Sequence, residues 1–206
     1  MAKWMYMLAA VAAVAAFSGG CDRVKESRER AHEERERAEA AAAVEPGRMA
    51  LERVGGGTLD TSSLGPAWLL LAHRSDDLAC RDAMAAEWGD LAREAEAAGV
   101  RVAGLYTDWI AGENEAARDA GALAAAQSAA YPVCVATRAE LDALTALAPM
   151  AVNPTAYLFS SDGTLRRATG GFAPIAHHLA DLAAVARGEE PPEHPAQGVL
   201  PEENEP

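Results

Sequence analysis

Short apolar runs alternate with helical stretches between residues 68 and 187, and this alternation limits the fold more than any other feature of the chain. The run WLLLA at 68–72 is apolar at every position, as in a strand that is buried on both faces. Residues 75–99 then show helical spacing of apolar side chains, and Gly99 ends the pattern. Further strand-like runs lie at 100–106 and 131–136, and further helical stretches at 113–130, 139–147 and 174–187. Apolar strands separated by helices pair in parallel, so the sequence predicts an α/β protein.

A hairpin near the end of this region makes the predicted sheet mixed. Residues 155–159 and 165–169 are strand-like, and Asp162-Gly163 between them is typical of a hairpin turn. The earlier run Gly55-Gly56-Gly57 lacks the strand-to-helix setting of a phosphate-binding loop and is interpreted as a turn. We therefore expect one domain over residues 47–188, with a mixed sheet flanked by helices.

The first 20 residues have the pattern of an export signal. Lys3 precedes an apolar run at 4–17, which is shorter than the about 20 residues of a bilayer-spanning helix. Small residues then precede Cys21, which resembles the lipobox of bacterial lipoproteins, although Ser18 stands where that motif usually has leucine. We predict a lipid anchor at Cys21 and a location on the periplasmic side of the bacterial cell envelope. Cleaved secretion and an uncleaved signal helix are the alternatives.

Charged side chains dominate residues 21–46. Glu26 precedes Arg30 by four positions, and Glu33 precedes Arg37 by four, which is the favourable order for ion pairs on a helix. Apolar residues do not recur at coiled-coil spacing. The segment is predicted to be a solvated helical spacer between the anchor and the domain.

Acidic residues exceed basic ones by 31 to 18, which gives a net charge of −13. This charge would repel a nucleic acid, so we expect no nucleic-acid partner.

Residues 189–206 hold six glutamates, five prolines and no lysine or arginine. Such a segment cannot bury enough apolar surface to offset its chain entropy, so we expect a disordered tail.

Three stretches resemble the thioredoxin-like superfamily, especially its membrane-anchored cytochrome-maturation and peroxiredoxin-related (redoxin) group. They are residues 58–72 (TLDTSSLGPAWLLLA), 80–84 (CRDAM) and 152–171, which contains Asn153-Pro154, Asp162-Gly163 and Gly170-Gly171. In that group the first stretch leads into the active-site helix, the second ends a Cys-x-x-Cys motif, and the third carries a cis-proline. The resemblance implies a thioredoxin-like fold, a cis Asn153–Pro154 bond facing the start of that helix, and a groove beside Pro154.

One departure from the group changes the expected chemistry. Three positions before Cys80, where the group has its nucleophilic cysteine, this chain has Asp77. Dithiol exchange needs one thiolate to attack and a second thiol to resolve the mixed disulfide. We therefore expect no dithiol turnover and no enzyme activity, and a module that binds or scaffolds an envelope protein or peptide client. The alternative is a thiol–disulfide oxidoreductase that uses Cys80 as a single thiol.

We expect no metal and no cofactor. His73 and Cys80 resemble the soft ligands of copper-carrying relatives, but the second cysteine of those proteins is absent here. Cys134 is interpreted as a buried packing residue, and a Cys80–Cys134 disulfide is the alternative. His177 and His178 are interpreted as neighbours on a helix face.

Overall fold

The computed structural model describes residues 25–73, 82–84, 86–107, 115–148 and 153–194. The chain divides into two compact units, Met1–Ala43 and Val44–Pro206. In the first unit, residues 25–42 form helix α1, as predicted for this part of the spacer. Glu26 and Arg30 are paired across one turn of this helix at 3.7 Å. Across the described ranges, we find no helix with the length and apolar character that a membrane span requires.

The described residues of the second unit form a seven-stranded mixed sheet with the order β2-β1-β5-β4-β3-β6-β7. Strand β3 pairs in parallel with β4, and β4 with β5, whereas the other neighbours are antiparallel. The prediction of a mixed α/β sheet is confirmed. The strands are β1 Ala50–Arg53, β2 Thr58–Asp60, β3 Ala67–His73, β4 Arg101–Tyr106, β5 Val133–Val135, β6 Thr155–Ser160 and β7 Leu165–Gly170. The helices are α2 Glu87–Ala97, α3 Glu115–Ser128, α4 Arg138–Leu147 and α5 Ile175–Ala186, with a short 3-10 turn at Thr61–Ser63.

Strand β3 lies inside the sheet with all seven of its residues buried, which explains its continuous apolar run. Its alternate side chains enter two separate cores. Leu69 and Leu71 pack with side chains of α2 and α5 on one face. Trp68 and Leu70 pack with side chains of α4 on the other face, where the rings of Trp68 and Phe159 stack at 4.5 Å.

Local signals explain several of the element boundaries. Thr137 caps the start of α4 by exchanging hydrogen bonds with Glu140, the third residue of that helix. Gly99 follows α2 with a φ of +77°, a conformation that ends a helix at little cost when the residue is glycine. The predicted turn at Gly55-Gly56-Gly57 is confirmed, because it joins β1 to β2 with positive φ at all three glycines.

The first part of the acidic tail, residues 189–194, makes contacts with the rest of its unit that the sequence did not indicate. The backbone N–H of Glu189 donates to the carbonyl of Ala184 at 2.9 Å, and Arg167 donates to the carbonyl of Pro192 at 2.7 Å. The reason is that β7 supplies the positive charges that the segment itself lacks. The rest of the tail, residues 195–206, lies outside the described residues.

Candidate functional site

The carboxyl ends of β3 and β4 meet the beginning of β6 at one edge of the sheet. His73, the last residue of β3, pairs with Tyr106 of β4, and its carbonyl accepts hydrogen bonds from the backbone N–H and the hydroxyl of Thr107 at 3.0 and 3.2 Å. Ala72 lies opposite Thr155 in the antiparallel register, so Pro154 follows at the position opposite His73. This edge is the place where the resemblance puts the groove.

The Asn153–Pro154 bond is cis, as predicted. Pro154 is buried, and its carbonyl accepts a hydrogen bond from the backbone N–H of Gly171 at 2.7 Å. The loop after β7 therefore reaches the same edge as the proline.

The predicted chemical residues of the motif, Asp77 and Cys80, lie outside the described residues, as does Cys21. Their distances from Pro154 stay predictions. Residues 82–84 form a helical segment, in which Asp82 is exposed and Met84 is fully buried in the core shared with Trp88.

His73 is the most unusual polar side chain at this edge. It is fully buried, and neither ring nitrogen has a hydrogen-bond partner in the described part of the chain. Its ring lies 6.1 Å from that of Trp88 and 6.4 Å from that of Tyr106, between centroids. Burial lowers the pKa of His73 from 6.5 to about 4, because the charged imidazolium would lose its hydration. His73 is therefore a neutral imidazole under ordinary conditions.

An aromatic pair connects this buried ring to the surface. Trp88 of α2 is almost fully buried, and its ring stacks on that of Phe172 at 6.0 Å with 25° between the planes. Phe172 belongs to the loop after β7 and is 41% exposed. An exposed aromatic ring with one face already packed offers a rigid apolar surface to a ligand.

Cys134 lies on the other face of the sheet, in the core that contains Trp68. It is a free thiol with no exposed surface, so the alternative of a Cys80–Cys134 disulfide is wrong. Burial raises the pKa of the Cys134 thiol to about 12, with Arg53 opposing the shift and Glu140 adding to it. Cys134 packs as predicted, and its chemistry is that of an inert thiol.

Metal ligation finds no support among the residues that the structure describes, since no group of three His, Cys, Asp or Glu side chains is placed to hold an ion. The two neighbouring histidines of α5 differ in environment: His178 is buried, and the ring of His177 stacks on that of His194.

Comparison with known proteins gives a clear result at the level of structure only. No protein-family model matches the sequence, and no curated protein sequence matches it. In contrast, the structure of the exposed lipoprotein thioredoxin Etrx1 from Streptococcus pneumoniae aligns with a TM-score of 0.54 and 20% identity, over 65% of this chain and 96% of that one. The fold is thioredoxin-like.

Two further solved structures align with this chain over most of their own length. DsbF of MTB aligns with a TM-score of 0.50 and 11% identity, over 70% of this chain and 97% of that one. The N-terminal domain of PilB from Neisseria gonorrhoeae aligns with a TM-score of 0.51 and 14% identity, over 64% of this chain and 85% of that one.

Sequence reasoning missed two features of this thioredoxin-like edge. It considered His73 only as a metal ligand, and it did not single out Trp88 or Phe172. A signal was present for His73, because a histidine at the end of a continuous apolar strand predicts a buried polar group. Nothing in the sequence indicated the contact between Trp88 and Phe172, which are distant along the chain.

Proposed function

We propose that this thioredoxin-like protein binds a polypeptide segment at the edge beside Pro154 and does so without dithiol turnover. The observation that carries the proposal is the exposed ring of Phe172 on the loop that hydrogen-bonds the Pro154 carbonyl. An apolar side chain of a client would pack on this ring while its backbone lies along the proline. The client is an envelope protein or an exported peptide.

The chain lacks the attacking sulfur of the motif, and Cys134 does not supply one. Asp77 occupies the position of the attacking cysteine. At the helix start that the resemblance predicts here, the helix dipole would favour a carboxylate, but a carboxylate cannot form a mixed disulfide. Cys134 cannot replace the missing sulfur, because it is fully buried and its pKa is raised to about 12.

The proposed location is the periplasmic side of the bacterial envelope, with a lipid anchor on Cys21. The support is the sequence of Lys3, apolar run and small residues before this cysteine. A neighbour in structure, Etrx1, is itself described as an exposed lipoprotein. The test is fractionation of cells that express Cys21→Ser: we expect release from the membrane or failed processing. Unchanged processing and membrane association would exclude the lipoprotein proposal.

The missing nucleophile is tested by restoring it. We expect the parent chain to reduce insulin disulfides with a dithiol donor only at background rate, and Asp77→Cys to gain measurable turnover through a Cys-Leu-Ala-Cys pair. Asp77→Ser is the matched control, since it removes the carboxylate without adding a thiol and should stay at background. Robust turnover by the parent that Cys80→Ser abolishes would overturn the proposal.

A second candidate function rests on one observation, the retention of Cys80 at the position of the second motif cysteine. In this alternative, the Cys80 thiolate attacks a disulfide of a partner, and one partner sulfur leaves as a thiolate. Another thiol of the partner then attacks the mixed disulfide, which releases the Cys80 thiolate and leaves the partner with a new disulfide. Thiol trapping in cells followed by mass spectrometry separates the two functions. A partner conjugate through Cys80 supports the alternative, whereas a free Cys80 supports the non-redox proposal.

A further inference from the structure

A polar cleft of about 500 Å³ lies between β7, the first turns of α5 and the end of the described tail. Gly170 and Ala173, which flank the Gly171-Phe172 dipeptide, also line this cleft. Its polar walls come from Arg167, His178, Asp181 and other side chains that the proposed function does not use.

Arg167 holds the tail by its backbone carbonyls. Its Nη1 donates to both carboxylate oxygens of Asp181 at 2.7 and 2.9 Å, which fixes the guanidinium. Its Nη2 donates to the carbonyls of Pro191 and Pro192 at 3.2 and 2.7 Å. Consecutive prolines have no N–H groups and favour an extended polyproline conformation, so their carbonyls are free to accept such hydrogen bonds.

His194 holds the far end of the segment. Its Nε2 lies 2.7 Å from Oδ1 of Asp181, whose side chain is only 5% exposed. The ring of His194 also stacks on that of His177, with centroids 4.1 Å apart and planes 5° from parallel. At the near end, Glu190 pairs with Arg166 of β7. Side chains of β7 and α5 thus contact the segment at the Glu190 carboxylate, at the carbonyls of two prolines and at the His194 ring.

We propose that the surface of β7 and α5 beside this cleft is a docking site for an acidic diproline peptide, and that the chain's own segment 189–194 is its resident ligand, with Glu193 and His194 forming one wall of the cleft. The receptor side consists of side chains on β7 and α5, namely Arg166, Arg167, His177 and Asp181. These side chains belong to regular elements whose other contacts do not depend on the tail, so an identical peptide supplied by another molecule can make the same contacts. In the intact chain, the covalent link keeps the tail at high effective concentration and excludes such a competitor.

The test uses the full chain with a tail that binds more weakly, because Pro192→Gly removes the polyproline preference and His194→Ala removes the contacts with Asp181 and His177. The variant Pro192→Gly/His194→Ala changes the tail and leaves the receptor side chains unchanged. A fluorescein-labelled peptide of the natural sequence 188–197 is titrated against this variant and against the parent, with fluorescence anisotropy as the readout. We expect saturable binding to the variant, on the order of tenfold or more tighter than to the parent, because the resident tail competes less.

Two controls define the contacts. Adding Arg167→Met to the tail variant should abolish peptide binding, because methionine keeps the length of the side chain but has no N–H to donate to the proline carbonyls. Should that protein fail to fold, a peptide with alanine in place of its histidine provides the control from the ligand side and should bind more weakly to the tail variant. Equal binding to parent and tail variant, or no binding to the tail variant at millimolar peptide, would overturn the proposal.

Discussion

Replacing His73 by leucine should make the protein more resistant to acid. In the unfolded chain this imidazole titrates near its ordinary pKa of 6.5, and in the folded chain burial lowers the pKa to about 4. A folded-state pKa that is depressed contributes stability that is fully present above pH 6.5 and is lost as the pH falls from 6.5 to about 4. One pKa unit corresponds to 1.36 kcal/mol, so the free energy of unfolding falls by about 3 kcal/mol between pH 6.5 and about 4. The leucine variant has no imidazole at this position and should not show this part of the loss.

The measurement is urea unfolding of the parent and His73→Leu at pH 7 and pH 4.5, followed by tryptophan fluorescence. Other groups titrate in both proteins, so the contribution of His73 is the difference between parent and variant in the free energy of unfolding lost from pH 7 to pH 4.5. We expect this difference to be about 2 to 3 kcal/mol. His32→Leu is a matched control for the substitution itself, because His32 lies exposed on α1, in the other compact unit. The reasoning is refuted if His73→Leu loses as much stability as the parent between the two pH values. It is also refuted if His73→Leu is strongly destabilised at pH 7, since that would mean that the ring nitrogens have partners.

Three smaller predictions concern neighbouring positions. Gly104→Ala should lower the free energy of unfolding by about 1 to 3 kcal/mol in urea titrations, because the added Cβ would lie 2.8 Å from Cε2 of Tyr131. Cys134 should resist iodoacetamide at pH 8 in the folded protein and react once urea unfolds the chain; rapid reaction in the folded state would contradict its burial. Phe172→Ala should cost only about 0.5 to 1.5 kcal/mol of stability through the lost stacking on Trp88, and in the proposed function it should weaken client binding measured by calorimetry.

The sequence predicted the elements whose apolar pattern is strongest. The run at 68–72 became the centre of β3, and the Asp162-Gly163 signal correctly located the turn between β6 and β7. Strands β1 and β2 could not be bounded from sequence, because they are only four and three residues long. Leu51 is the only residue of β1 that is buried, so neither strand shows a readable alternation.

The two candidate sites were predictable to different degrees. The edge at Pro154 followed from its resemblance to a known superfamily, because the motif residues that mark it are local in sequence. The cleft at Arg167 could not be predicted, because Arg167, Asp181 and His194 share no spacing that matches a helix or a strand. Their meeting depends on the return of the chain after α5, where Gly188 has a φ of +77°. An acidic, proline-rich composition predicts disorder only when no part of the same chain supplies complementary charge, and β7 supplies it here.

One short loop connects the two sites, and this connection leads to a last prediction. Gly171 donates to the Pro154 carbonyl on the groove side, while Gly170 and Ala173 line the cleft on the other side. A ligand at one site changes the affinity of the other site for its own ligand only if the first ligand binds two states of this loop with different free energies. The factor by which the client changes the affinity for the peptide must then equal the factor by which the peptide changes the affinity for the client. Once a client of the Pro154 groove is identified, we therefore expect its affinity to differ between the parent and Pro192→Gly/His194→Ala. A saturating concentration of client should then change the affinity of the tail variant for the 188–197 peptide, measured by anisotropy. Adding Phe172→Ala to the tail variant should reduce this effect of the client, because the substitution weakens client binding. Client affinity that is equal in parent and tail variant would show that the loop is rigid and that the two sites act independently.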